Sequence, residues 1–193
     1  MNTDQIIVRP ATRDDAKLIA YAVALAIGDE KALRSYCGDD YISVLTSIAA
    51  SDATQYSWQG ALIAEIKGVG VGVIVGYDGA KLAELREGTL AIIRNHIERV
   101  PSIADETDAS EYYLDSVGVL HEYRNMGVGR ELIRAFCDKA FSDGYERVGL
   151  IVDCDNPHAE RLYTSLGFER VGTRQFFSHK MWHLQHHCPN SKE

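Results

Sequence analysis

The residues best placed to do chemistry are a short run, Arg124, Asn125, Met126, Gly127, Val128, Gly129 and Arg130. The run lies between a segment that reads as a strand, Tyr112–Val119, and one that reads as an amphipathic helix, 129–142. Glycine lets a backbone approach a ligand closely. The N–H groups that open a helix have no partner inside it and sit at the positive end of its dipole. Together these features suit a pyrophosphate. Two glycines alone also describe an ordinary strand-to-helix turn. A dinucleotide site competes, because Asp153 ends the next strand where a ribose-binding acid would stand. Against it, the run continues Gly127, Val128, Gly129, Arg130, Glu131, Leu132 without a third glycine, and too little chain follows for the remaining strands.

A carboxylate lies close by. Asp115 precedes Val119 by four residues, and regular alternation would put Asp115, Val117 and Val119 on one face of the strand. An Asp near a strand start is often only solvated. Glu111 and Glu122 are weaker candidates for proton transfer, since both read as loop residues. Cys37, Cys137, Cys154 and Cys188 form no CxxC pair and no recognisable nucleophile motif. They read as reduced thiols. The seven histidines show no metal-ligand spacing, so no metal is expected.

The positioning elements are legible around these residues. Residues 129–142 carry Leu132, Ile133, Phe136, Cys137, Ala140 and Phe141 on one helical face. Residues 147–152 are almost continuously apolar, as in a strand covered on both sides. Asn156 caps the next helix, Pro157 takes its first position and Gly167 ends it. Strand, helix, strand and helix in this order imply a right-handed parallel crossover. Upstream, residues 5–9 read as a strand, and Thr12 with Asp15 as a capping box before a helix to about Ile27. Residues 30–50 read as a second helical region. Strands at 60–66 and 69–77 are joined by the turn signal Lys67-Gly68. Residues 80–100 read as a helix stopped by Pro101, and 102–111 as a polar loop. From about His187 the chain reads as a frayed tail.

These blocks resemble the GCN5-related N-acetyltransferases (GNAT). Arg124, Gly127 and Gly129 match that family's [QR]-x-x-G-x-[GA] signature. Asn156, Ala159, Leu162, Tyr163, Gly167 and Phe168 match its N-x-x-A-x-x-L-Y-x-x-x-G-F helix. The resemblance is strong over 112–171 and looser elsewhere. Asn125 departs from it, since glycine is commoner there, and 80–101 looks like a helical insertion. The resemblance implies an α/β (α+β) fold: a central mixed sheet with splayed parallel strands flanked by helices, in one domain over 1–186. It implies that Val117, Gly118 and Val119 present backbone groups to the pantetheine and the acetyl carbonyl. Arg124, Asn125, Met126, Gly127, Val128, Gly129 and Arg130 would hold the pyrophosphate of acetyl-CoA. Asn156 would meet the pantetheine arm, and Tyr163 would stand beside the sulfur as an acid. Asp115 would be the base or a cation ligand near the acceptor.

The chemistry suits these residue types. An amine must be neutral to attack a thioester, so its proton needs an acceptor. The leaving thiolate benefits from a donor, and a phenol with an ordinary pKa of about 10 can serve. The implied reaction is direct acetyl transfer to a primary amine in a ternary complex. The alternative is a non-catalytic acyl-CoA-binding module, which could keep the loop and lose the acid. The presence of Tyr163 favours an enzyme.

Composition bounds the remaining possibilities. The chain has 193 residues, 46% hydrophobic and 25% charged, with a formal charge of −8. A chain of this length can bury a sizeable core without disulfides or metals. Its acidity argues against a nucleic-acid partner. The start carries charge and turn residues where a secretory signal needs an apolar run, and no window is long and apolar enough for a membrane span. A cytoplasmic protein is expected, and a homodimer is left open. Asp105, Glu106, Asp108 and Glu111 lead straight into the Tyr112–Val119 strand. They would form an acidic mouth for a cationic acceptor, or else a solvated loop.

Overall fold

The computed structural model describes residues 5–98, 103–176 and 179–189. Seven strands form one mixed sheet: β1 (Ile6–Pro10), β2 (Ala61–Ile66), β3 (Val69–Asp78), β4 (Tyr112–Val119), β5 (Arg147–Asp153), β6 (Glu169–Phe176) and β7 (His179–His187), in the order β1-β2-β3-β4-β5-β7-β6. The helices are α1 (Ala16–Ile27), α2 (Glu30–Cys37), α3 (Tyr41–Ala49), α4 (Leu82–Ile93), α5 (Val128–Ser142) and α6 (Pro157–Thr164). This is the mixed α/β architecture that the family resemblance implies.

Local chemistry explains most boundaries. The Thr12–Asp15 capping box forms and opens a 3₁₀ turn that runs into α1. Lys67 and Gly68 take φ of 54° and 76°, the paired left-handed conformation that closes a two-residue hairpin between β2 and β3. The 30–50 region is two helices. Asp29 caps α2 by accepting from the Lys31 and Ala32 N–H groups, and Gly38 at φ 83° breaks the helix before α3. Residues 169–187 carry β6 and β7, to which the sequence reading gave no strand. β7 inserts between β5 and β6. His187 ends that strand, and the Cys188 N–H donates to the Glu146 carbonyl at 2.9 Å, so order extends past the expected start of a tail. Pro101 lies outside the described residues.

The sheet separates two apolar cores. On one face, Ile19, Val23, Leu45, Ile48 and Ile93 from the helices pack on Ile63, Val73 and Val75. On the other, Leu132, Ile133 and Phe136 of α5 pack on Leu62, Ile74, Leu114 and Leu150. The glycines of β3 let α5 lie close: a Cβ at Gly76 would stand 2.2 Å from Phe136 Cζ.

β4 and β5 run parallel but pair only at Tyr112 with Val148 and Tyr113 with Gly149. Beyond that point β4 stays bonded to β3 as far as Val119, and β5 stays bonded to β7 as far as Asp153. The facing edges of β4 and β5 therefore have no strand partner, and a gap opens between them.

Candidate active site

The loop that follows β4 closes one end of this gap. A 3₁₀ turn at His121–Tyr123 leads to Arg124, whose Nε donates to the Val119 carbonyl at 3.3 Å. Asn125 has φ 63° and Gly127 has φ 87°. Asparagine is among the few residues that tolerate this region, so the departure at Asn125 keeps the loop shape. Gly127 stands at the N-cap of α5, and the N-terminal N–H groups of that helix face outward beside exposed Arg124, Asn125 and Met126. The Val128 side chain turns into the core against Gly72, so only its backbone is available to a ligand. Arg130 reaches across to α6 and donates to Ser165 Oγ at 3.1 Å.

Two glycines here have different reasons. At Gly118 a Cβ would meet the Ala22 carbonyl oxygen at 2.6 Å, so α1 requires it. At Gly129 φ is not positive, and a Cβ would meet only Val119 Cγ2, at an ordinary 3.8 Å. Among the described residues nothing requires glycine at 129. This is the pattern of a backbone kept clear for a ligand, and it fits a bound pyrophosphate.

Asp115 lies on the other side of the sheet from Val117 and Val119, contrary to simple alternation. The β3–β4 register passes from Val75 opposite Ser116 to Gly76 opposite Leu114, leaving Asp115 as the extra residue of a β-bulge. Val117 and Val119 pack with the α5 core. Asp115 instead meets Tyr77 Oη at 3.3 Å and Ser116 Oγ at 2.9 Å. Burial, then the neighbouring Glu106 charge, push its carboxyl up to about 7, against the Ser116 and Tyr77 hydrogen bonds. A carboxyl near neutrality suits a group that takes and releases a proton at physiological pH.

Tyr163 is 9% exposed, and its ring packs edge-on to Phe168 at 5.8 Å. Its hydroxyl has no hydrogen-bond partner among the described residues. Burial pushes it up to about 12, so it keeps its proton at neutral pH and can donate it. Asn156 caps α6 as expected, its Oδ1 accepting from the Ala159 N–H at 3.1 Å, which leaves its amide donors for other use. Tyr113, at the point where the strands part, is raised by burial and then by Asp115, Glu106, Glu111 and Tyr163.

The four acids before β4 do not form an open mouth. Arg86 of α4 pairs with Asp105 at 2.6 Å and with Glu106, and Arg174 pairs with Asp108 at 2.7 Å. Glu111 is fully buried and accepts from Gln185 Nε2 at 2.7 Å and Thr107 Oγ1 at 2.8 Å, with His183 Nε2 at 2.9 Å. It holds β4, β5 and β7 together where the gap begins, which removes it as a candidate base. Glu122 is exposed in the 3₁₀ turn. Asp108, Glu111 and His183 bring donor atoms within 4.8 Å of one another, a grouping of metal-ligand types invisible in the sequence spacing. Each already has a protein partner there. The four cysteines are free thiols, and burial pushes Cys37 and Cys137 up to about 12. The sequence reading had no signal for Tyr77, Tyr113 or the burial of Glu106, because each depends on a distant element.

A mixed sheet parted in this way, with a glycine loop leading into a helix, is the architecture of an acetyltransferase family. The family model described as "Acetyltransferase (GNAT) family" matches residues 31–168, and the chain belongs to that family. A solved acetyltransferase is 30% identical, with a TM-score of 0.80 over 94% of this chain and 98% of that one. N-alpha-acetyltransferase RimI of Mycobacterium tuberculosis is 38% identical over 36% of this chain and 42% of its own length. N-alpha-acetyltransferase 40 of Saccharomyces cerevisiae is 30% identical over 59% of this chain and 42% of its own. The chain thus spans less than half the length of these curated relatives. Among the described residues no helix is long and apolar enough to cross a membrane.

Proposed function

We propose that this protein transfers an acetyl group from acetyl-CoA to a primary amine, by direct attack in a ternary complex. The observation that carries the reading is the parting of β4 and β5 after Tyr113, with the glycine loop and the α5 N-terminus at its mouth. The thioester would lie along the unpaired edge of β4 at Val117, Gly118 and Val119. Backbone N–H groups there would receive the developing oxyanion. Arg124, Asn125, Met126, Gly127, Val128, Gly129 and Arg130 would bind the pyrophosphate, mainly through N–H groups and the two arginines. Asn156 would donate an amide hydrogen to the pantetheine.

Asp115 would take the proton from the amine, leaving a neutral nitrogen to attack the thioester carbon. Tyr163 would give its proton to the departing thiolate and recover one from solvent, while the second proton that the nitrogen sheds on forming the amide would pass to solvent. The bulge matters because it turns Asp115 toward the α1–α4 side while the cofactor loop and Tyr163 stay on the α5 side. Acceptor and donor would then meet across the gap. Two relatives carry the name N-alpha-acetyltransferase, which favours the α-amine of a polypeptide as acceptor.

Gly129→Leu tests the donor site. A Cβ here meets only Val119 Cγ2, at an ordinary 3.8 Å, so the variant should fold normally. Calorimetric titration with acetyl-CoA should show binding in the parent protein and none in the variant. Equal affinity in both would remove the assignment.

A further inference from the structure

Behind Asp115 stands a chain of groups that the proposed transfer does not itself use. Tyr77 Oη lies 3.3 Å from Asp115 Oδ2 and 2.9 Å from Glu106 Oε1. Gln55 Nε2 donates to Glu106 Oε1 at 2.9 Å and to Tyr77 Oη at 3.3 Å. Arg86 binds the other Glu106 oxygen, Oε2, and also holds the Ala104 carbonyl at 3.1 Å. Glu106 is 3% exposed and Gln55 is 4% exposed. A charged pair at this depth destabilises a fold unless its partners are fixed. Here α4, β3 and the segments carrying Gln55 and Glu106 all contribute partners.

A phenol has one proton and two carboxylates to serve. Glu106 has other donors on both oxygens and loses little when the Tyr77 hydrogen turns away. Asp115 also accepts from Ser116 Oγ, through its other oxygen, Oδ1. The Gln55 amide holds the phenol oxygen in place while its hydrogen rotates. Resting on the reading of Asp115 as proton acceptor, we propose that Tyr77, Glu106 and Arg86 are positioning residues that set how strongly Asp115 holds its proton. The Tyr77 hydroxyl turns to Asp115 when that carboxylate is ionised, and to Glu106 when Asp115 has received the proton of the amine. Tyr77 keeps its own proton throughout, and Asp115 returns to the start by releasing the acquired proton to solvent. This gives α4 a part in the chemistry through Arg86, although it touches neither substrate.

Among the described residues, the titratable and charged groups coupled electrostatically to Asp115 include Tyr36 of α2, Tyr56 before β2, Tyr77 of β3, Tyr113 of β4, Arg86 of α4 and Glu106. The tyrosines stay neutral, because burial raises each of them. Beside burial and the Ser116 hydrogen bond, three neighbours set the balance. Glu106 raises the proton affinity of Asp115, whereas Tyr77 and Arg86 lower it.

The test is a ¹³C NMR titration of the aspartate carboxyls in the whole protein, with Asp115→Asn identifying the signal. Glu106→Gln should move the Asp115 midpoint down by about one pH unit or more, a tenfold change in proton affinity. Tyr77→Phe and Arg86→Met should each move it up. Shifts of opposite sign are something that general loosening of the site cannot produce. Tyr77→Phe deletes a single oxygen and decides the matter even where Glu106→Gln folds poorly. A midpoint unmoved or lowered in Tyr77→Phe, or raised in a folded Glu106→Gln, would overturn the proposal. Failure of the base reading is separable: acetyl transfer retained by Asp115→Asn would remove Asp115 as base and leave the titration result standing.

Discussion

At the scale of single residues, Tyr163 and Asp115 have different surroundings, which suit the opposite roles proposed for them. Tyr163 sits among Phe168 and the α5 core with no charge beside it, so burial alone holds its proton. Asp115 is also pushed up by burial, but Glu106, Tyr77 and Ser116 surround it with polar groups that can respond to its charge. In the proposed reaction the first would serve as donor, and the second would change its charge state. Tyr163→Phe removes only the donor oxygen. It should lower turnover by about 10-fold or more while acetyl-CoA affinity stays near that of the parent protein. The check is kcat by thiol release and Kd by calorimetry. An equal loss in both would mean that Tyr163 acts in binding.

At the scale of elements, the site depends on how closely helices approach β4. Helix α1 packs so tightly on Gly118 that an added Cβ would strike backbone atoms of Ala22. Backbone cannot swing aside as a flexible side chain can, so α1 itself would have to move. Gly118→Ala should therefore cost about 2–3 kcal/mol of stability, in the upper range for overpacking. Gly129→Ala should cost nothing and can add up to about 1 kcal/mol, since alanine favours a helix over glycine. Urea midpoints of the two variants check the contrast. Two glycines in one binding region would then be separated by cause: one demanded by packing, the other by the ligand.

At the scale of the whole molecule, an ionised Asp115 works against the fold. Its folded carboxyl holds a proton up to about 7, whereas its ordinary value is 3.8. Between those values the folded state binds more protons than the unfolded state, so stability falls as pH rises across that window. Above it the cost is constant, on the order of a few kcal/mol. Asp115→Asn should raise the melting temperature at pH 8 and change it little at pH 4. A gain of equal size at both values would mean that shape, and not charge, causes the effect. The paired acids at 105–111 bear on the molecule differently. Arg86, Arg174 and His183 occupy them, so they fix the loop before β4 and do not act as a cationic funnel.

The sequence by itself determined the parts that local physics controls. The Thr12–Asp15 box, the Lys67-Gly68 turn, the α5 face from Leu132 to Ala140 and the Asn156 cap follow from neighbours a few residues apart, and all are present. The glycine loop was legible for the same reason, since Gly127 and Gly129 mark a strand-to-helix junction whatever surrounds it. Only the tertiary structure decided which face Asp115 takes. A bulge is a mismatch between two strands, and β4 alone carries no sign of its register with β3. Only the fold could show that β7 slides between β5 and β6, or that Glu111 is a buried clasp and not a loop acid, because His183 and Gln185 come from 72 and 74 residues away. The surroundings of Asp115 have the same origin. Tyr77, Arg86 and Glu106 are unremarkable in sequence, and they become a tuning network because long-range packing places them around one partly buried carboxyl.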